Sequence, residues 1–223
     1  MALVPILSYV TEIAPHVEGC PSAVIAHYIR KVFTDLCERS KIWRVPLANV
    51  PIVAGTYDYA LVSPVAETEV SALLGAQLTK LSIPNTIQQL EISTSEVVMN
   101  YYPDWPNANS TGEPRVLFQT SPSMFELAPV PGNLDTYTVK LTAAIRPTQT
   151  AVNVESTLMN EYKRAWFHGT IHELMMMPGR LWSNEKLTVY HGKQWEYFMN
   201  GARARANKGF GRTAISVKHR PWA

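Results

Sequence analysis

Between Pro46 and Pro147 the chain is interrupted repeatedly by proline, and that stretch excludes a helical centre. Proline removes a backbone donor and clashes with the preceding turn, so a regular helix does not pass through it. Sixteen prolines are present in 223 residues, and they cluster here. Between them lie short runs rich in β-branched and aromatic residues: "WRVPLANVPIVAGTYDYALVSP", "TEVSALLGAQL", "SEVVMNYY", "RVLFQTSP", "MFELAPVP" and "DTYTVKLTAAIRP". Such runs, bounded by Pro, Gly, Asn and Ser, predict an antiparallel β unit over residues 43–147. Its longest loop, "YPDWPNANSTGEP", is expected to be a mobile hairpin tip.

Helix signals occupy both ends. "PSAVIAHYIRKVFTDLCERS" begins with Pro21, which suits a first helical position. Val24, Ala26, Tyr28, Ile29, Val32, Phe33 and Leu36 give it an apolar face. A shorter helix is expected over Pro5–Ala14, ended by Pro15. After Pro147 one helix is expected from about Val152 to Met177, stopped by Pro178-Gly179. Its core and assembly face would be Leu158, Tyr162, Trp166, Ile171 and Leu174. A last helix starts near Ser183, a candidate N-cap, and ends at Gly209 and Gly211. The expected fold is therefore α+β. Residues 1–42 and 148–209 form a discontinuous helical bundle, 43–147 a β-rich insertion, and 210–223 an extended tail.

The composition, 46% hydrophobic and 17% charged, is that of a folded chain. No apolar run approaches the ~20 residues of a membrane span. The N-terminus lacks a basic region and contains Glu12, so no signal peptide is expected. Two cysteines, Cys20 and Cys37, fit a reducing compartment better than a disulfide framework.

Catalytic patterns are sparse. "HGTIHELMMMPGRLW" places His168 and His172 four apart on one helix face, where they could share a metal. A zinc-protease pattern needs Glu after the first histidine; here Glu173 follows the second. A third ligand would have to come from His16, His27, His191 or a carboxylate. Packing explains the segment better, because Ala165, Gly169 and His172 form a line of modest bulk that admits another helix closely. Cys37 reads as an apolar filler. Asp58, Glu67 and Glu69 are carboxylates without a supporting glycosidase motif. No P-loop, dinucleotide fingerprint or nucleophile elbow is present. The expectation is no enzyme, no metal and no cofactor.

Charge is the clearest asymmetry. The net charge is +2, yet residues 201–223 hold six basic residues and no acid: Arg203, Arg205, Lys208, Arg212, Lys218 and Arg220. Residues 45–150 carry four Lys/Arg against nine Asp/Glu, a net −5. A basic tail can be a solvated helix end, a phosphate binder or a peptide that orders on a partner. Trp222 favours the third, since an exposed tryptophan is costly without a pocket to fill.

These segments resemble the head-to-tail adaptor (connector) proteins of tailed phages, in the larger tail-adaptor type with a β insertion. The resemblance rests on "CPSAVIAHYIRKVFTDLCERSKIWR", "VAGTYDYAL" and "YKRAWFHGTIHELMMMPGRLWSNEKLTVYHGKQWEYFMNGARARANKGFGR". Residues from about Gly75 to Pro147 match only in style, and the acidic β insertion departs from the smallest, all-helical adaptors. The resemblance implies a ring, commonly twelvefold, between portal and tail, with DNA passing through its lumen without sequence-specific binding. Partners would be further copies of the chain, the portal protein and downstream tail or nozzle proteins, with no membrane. The site would be the virion neck, after assembly in the host cytoplasm. The basic tail, with Arg203, Arg205, Lys208, Arg212, Lys218, Arg220 and Trp222, would dock on the portal. Other expectations are a different neck part, such as a tail terminator or nozzle protein, and from another class a hydrolase with a β-rich lid.

Overall fold

The computed structural model describes residues 2–81, 86–106, 111–132 and 137–208. Strand β1 (Leu3–Pro5) leads through a 3-10 turn at Ile6–Tyr9 into a single turn of helix, α1 (Val10–Ile13). The helix expected over Pro5–Ala14 is thus largely 3-10, and Pro15 sits in a second such turn, Ala14–His16. Helix α2 (Ser22–Ser40) begins one residue after Pro21, whose backbone is extended. Ile25, Ile29, Val32, Phe33 and Leu36 recur at helical spacing and are buried, so one face of α2 lies on the core. Lys41 ends the helix in the left-handed region (φ 53°), its N–H donating to the Cys37 carbonyl at 2.9 Å.

Three short strands follow, β2 (Arg44–Pro46), β3 (Val50–Ile52) and β4 (Asp58–Ala60). Pro46 and Pro51 keep β2 and β3 at a sheet margin, where a missing N–H is tolerated. Next come the long β5 (Thr68–Lys80), then β6 (Thr86–Gln89) and β7 (Glu91–Ile92). "SEVVMNYY" is not a strand but helix α3 (Ser95–Tyr101). Its Val98 reaches a small second core with Trp105, Phe118, Ala128 and Val130, while Val97 and Met99 stay exposed. The loop expected as a hairpin tip is anchored in part: Trp105 is buried and its indole N–H donates to the Leu127 carbonyl (3.1 Å). Strands β8 (Thr111–Gly112), β9 (Val116–Ser121), β10 (Met124–Ala128), β11 (Val130–Pro131) and β12 (Tyr137–Pro147) complete the central region.

β12 is the spine. It pairs with β5 along its whole length, from Tyr137↔Lys80 to Pro147↔Thr68, and with β2 and β3 on its other edge. β6 pairs with the far edge of β5. There the chain changes sheets: the Leu90 N–H donates to Ala76 of β5 (3.0 Å), and β7 then pairs with β9. The second sheet runs β4-β10-β9-β7. The several sheets include a curled half-barrel.

The remaining elements are β13 (Asn153–Glu155), α4 (Ser156–Glu161), α5 (Lys163–Met175) and α6 (Glu185–Lys208). The helix expected over Val152–Met177 is therefore divided. β1 claims residues 153–155 as a paired strand, with Val4 opposite Val154. The Glu155 carboxylate then caps α4 by accepting from the Leu158 N–H (2.6 Å). At Tyr162 the helix breaks, because the Trp166 indole N–H takes the Met159 carbonyl (2.7 Å) that a continuous helix would offer to Lys163. Asn184, not Ser183, caps α6, its side-chain oxygen accepting from the Leu187 N–H (3.1 Å). The Ser183 hydroxyl instead donates to Met175 at the end of α5 (3.2 Å).

The helical bundle with an inserted β unit is thus overturned. Of the described residues about 41% are helical and 31% lie in strands. One buried core joins Phe33 and Leu36 of α2, Leu141 and Ile145 of β12, Trp166 and Leu174 of α5, and Leu117 and Phe125 of the second sheet. The helices do not form a self-sufficient bundle because α2 packs against β12 as well as against α5 and α6. The architecture is mixed α and β, with a helical layer against a curled sheet.

Within the helical layer, Gly169 marks the tightest approach. A Cβ there would stand 2.6 Å from Val32 Cγ1 and 2.8 Å from Trp195 Cε3. Gly169→Ala should therefore destabilise by about 1–3 kcal/mol, the usual cost of overpacking, read as a lower denaturant midpoint with unchanged slope. Trp166 is fully buried, and Trp166→Ala should cost about 3–5 kcal/mol in the same measurement.

Candidate functional site

The expected assembly helix is split between two environments. Trp166, Ile171 and Leu174 on α5 are fully buried, and Trp166 meets the Tyr9 ring edge-on at 5.5 Å. Leu158 on α4 and Tyr162 at the break are half-buried and pack on the same core. Tyr162 therefore borders solvent, and it lines two open clefts of about 530 and 490 Å³ that share Glu161, Tyr162 and Phe198 as walls.

The basic end of the chain is placed in part. Arg203, Arg205 and Lys208 are exposed in the last turns of α6. Arg205 reaches back to Glu161 of α4 at 2.7 Å. Arg212, Lys218, Arg220 and Trp222 lie outside the described residues.

The two histidines of α5 do not act as a pair; each finds a partner on α6. His168 Nδ1 lies 2.8 Å from His191 Nδ1, and His172 Nδ1 lies 3.0 Å from the Thr188 carbonyl. The carbonyl only accepts, so His172 Nδ1 donates. Between His168 and His191 one ring donates and the other accepts, which requires at least one neutral imidazole. His168 also stacks on Phe198 at 5.6 Å. Gly192 lets α6 close over this site, since a Cβ there would meet the His172 ring at 3.0 Å. Burial pushes the His168 and His191 pKa values down. For His191 the charges of His168, His16 and His172 add to burial and take it to about 4. Spacing exposed the α5 pair, but nothing in the sequence singled out His191 as its neighbour.

No group of three or more His, Cys, Asp or Glu side chains converges as a metal site among the described residues. Burial drives the Cys37 thiol far up, which leaves it protonated and unreactive at neutral pH. The carboxylates are separated by role. Glu69 pairs with Arg146 (2.8 Å), which also holds Glu38. Glu67 accepts from the N–H groups of Val152 and Asn153 (2.8 Å each), and these bonds hold its pKa down. Asp58 stands directly across from Glu126 in the β4–β10 ladder. Burial raises the Glu126 pKa, and the Asp58 charge adds to that rise against a lowering hydrogen bond to Thr120. Among the described residues no helix is long and apolar enough to cross a membrane.

The histidine contact makes a pH prediction. A histidine whose folded pKa is depressed binds fewer protons than in the unfolded chain. Its contribution to stability is complete above pH 6.5 and is lost as pH falls toward about 4. His191→Gln keeps a polar partner for His168 yet does not titrate. It should flatten the fall in Tm between those two pH values; an unchanged slope would show that protons bind elsewhere.

A scan against models of known protein families finds no match, and no curated protein matches the chain.

Proposed function

We propose that the chain is a structural component of a tailed-phage neck, a head-to-tail adaptor that forms a ring between portal and tail. The observation that carries this reading is the C-terminal helix. α6 runs 24 residues, and its described end presents Arg203 and Lys208 beside Arg205, which is paired with Glu161. The sequence continues past it with three more basic residues, no acid, and Trp222. A helix whose sequence continues into a basic segment containing one tryptophan suits an acidic protein surface with a pocket for one ring. The resemblance of the N-terminal and C-terminal segments to adaptors makes the portal that surface. Twelve copies, as in the resembled family, would enclose a lumen through which DNA passes without base-specific contact.

The two kinds of tail residue act differently. Charges mainly set the association rate and its salt dependence, whereas a buried aromatic anchor mainly sets dissociation. A chain ending at Gly209 should fold with an unchanged Tm but bind isolated portal about 100-fold more weakly, the loss expected on removing a hot-spot anchor and its flanking charges. Biosensor binding to purified portal rings measures this. Equal affinity for the shortened and full chains would remove the docking role. Tail-protein binding without portal binding would favour a different neck part.

A further inference from the structure

The imidazole contact between α5 and α6 can take up one proton and keep its form, but not two. In the neutral pair one Nδ1–H donates to the other ring's lone pair across 2.8 Å. A first added proton goes to the Nε2 lone pair of the donor ring and leaves that hydrogen bond in place. A second goes to the accepting Nδ1. It removes the lone pair, and two N–H groups on two cations then face each other. Groups this close titrate in two linked steps, and only the second step breaks the contact.

No neighbouring charge offsets the second proton. Beyond burial, the charges acting on the two rings come from His16 in the turn after α1 and from Arg164 and His172 on α5. Arg164 is a cation, and histidines become cations in acid. The Phe198 and Tyr190 rings that frame His168 bring no charge. Acids on the surrounding helices are held elsewhere: Glu12 of α1 by Lys163 (2.9 Å), Glu161 of α4 by Arg205 (2.7 Å), Glu173 of α5 by Lys31 (2.7 Å) and Glu196 of α6 by Arg39 (3.2 Å). On α2, Asp35 pairs with Arg39 (3.5 Å) and Glu38 with Arg146. Glu18 and Glu185 are exposed.

The contact also sits where α6 is least anchored. His191 is the first buried residue of that helix, and none from Glu185 to Tyr190 is buried. Past it, Trp195, Met199 and Ala202 hold the helix to the core. Gly192 separates the two parts, and a glycine weakens a helix where it stands. We infer that the His168–His191 contact is an acid-sensitive latch, whose second added proton releases residues 185–191 of α6 from α5 while the segment from Trp195 to Ala202 stays docked. The His172 bond to the Thr188 carbonyl survives protonation, since Nδ1 already donates, and it tethers the released turns. The latch works whether or not the chain meets a portal.

Amide hydrogen exchange of the full chain tests this, corrected for the intrinsic pH dependence and compared between neutral pH and about 4, where His191 titrates. Protection at Thr188–Gly192 should fall at least about tenfold in acid, while that at Trp195–Ala202 should hold. His168→Gln and His191→Gln each replace a titrating ring by an amide that both donates and accepts, so it partners the remaining histidine in either state. Both variants should lose the acid response at Thr188–Gly192. Neutralised carboxylates act alike in all three proteins and so cancel. A reading that needs no variant comes from the wild-type ring resonances: His168 and His191 should titrate in two linked steps, and the loss of protection should follow the lower one. Equal losses in the two segments, the same local loss in both variants, or a loss that follows the upper step would overturn the latch.

Discussion

A strand buried on both faces must satisfy its backbone through its neighbours and its side chains through two separate layers. β12 meets both demands, and the fold is arranged around it. Ala143, Ala144 and Ile145 are successive and all fully buried, so the strand presents apolar groups on both sides. The register shifts between Thr142 and Ala143 and again between Ala144 and Ile145. Such bulges bend a strand and raise its twist, which suits a sheet that must curl away from a helical layer. Small alanines at the bends leave room for helix α2 above.

Polar contacts then fix what packing leaves loose. Arg146, near the end of β12, bridges Glu69 of β5 and Glu38 of α2, and so ties sheet to helix. It is only 24% exposed, which lessens solvent screening of both pairs. Lys31–Glu173 (2.7 Å) joins α2 to α5 with Glu173 sheltered about as much as Arg146, whereas Arg39–Glu196 (3.2 Å), from α2 to α6, has both partners in solvent, where such a pair contributes little. The helical layer therefore depends on shape, above all on the absence of a side chain at Gly169. The ion pairs select its register.

Elements whose partners are local, or whose pattern is long, were legible in the sequence. The α2 stripe specifies most of its own buried face, through Ala26, Ile29, Val32, Phe33 and Leu36, although the expected Val24 and Tyr28 are only half-buried and buried Ile25 was not among the expected residues; the apolar alternation of Tyr137, Val139 and Leu141 specifies a strand. Elements decided by distant partners were not. Residues 153–155 read as helix until β1 pairs with them, and Trp166 breaks the following helix by taking the Met159 carbonyl. "SEVVMNYY" looks strand-like because Val97 and Val98 are β-branched, yet only Val98 is buried. The change of sheets at Leu90 was hidden because no glycine or proline announces it. The histidine site was half legible: the spacing of His168 and His172 is local, but His191 arrives from another helix.

The length of α6 carries a geometric consequence. At 1.5 Å per residue its 24 residues span about 36 Å, comparable to the diameter of a small domain. Its last buried residue is Ala202, and the turns beyond it still touch the body, through Arg205 on Glu161 (2.7 Å) and Arg44 on Asn207 (3.5 Å). The helix works as a ruler. Inserting a whole turn beyond Ala202 would move the basic end about 5 Å along the axis and nearly preserve its heading, whereas one added residue would swing it through about 100°. Natural variation in this segment should therefore favour steps of three, four or seven residues over single insertions. Its phase matters more than its reach.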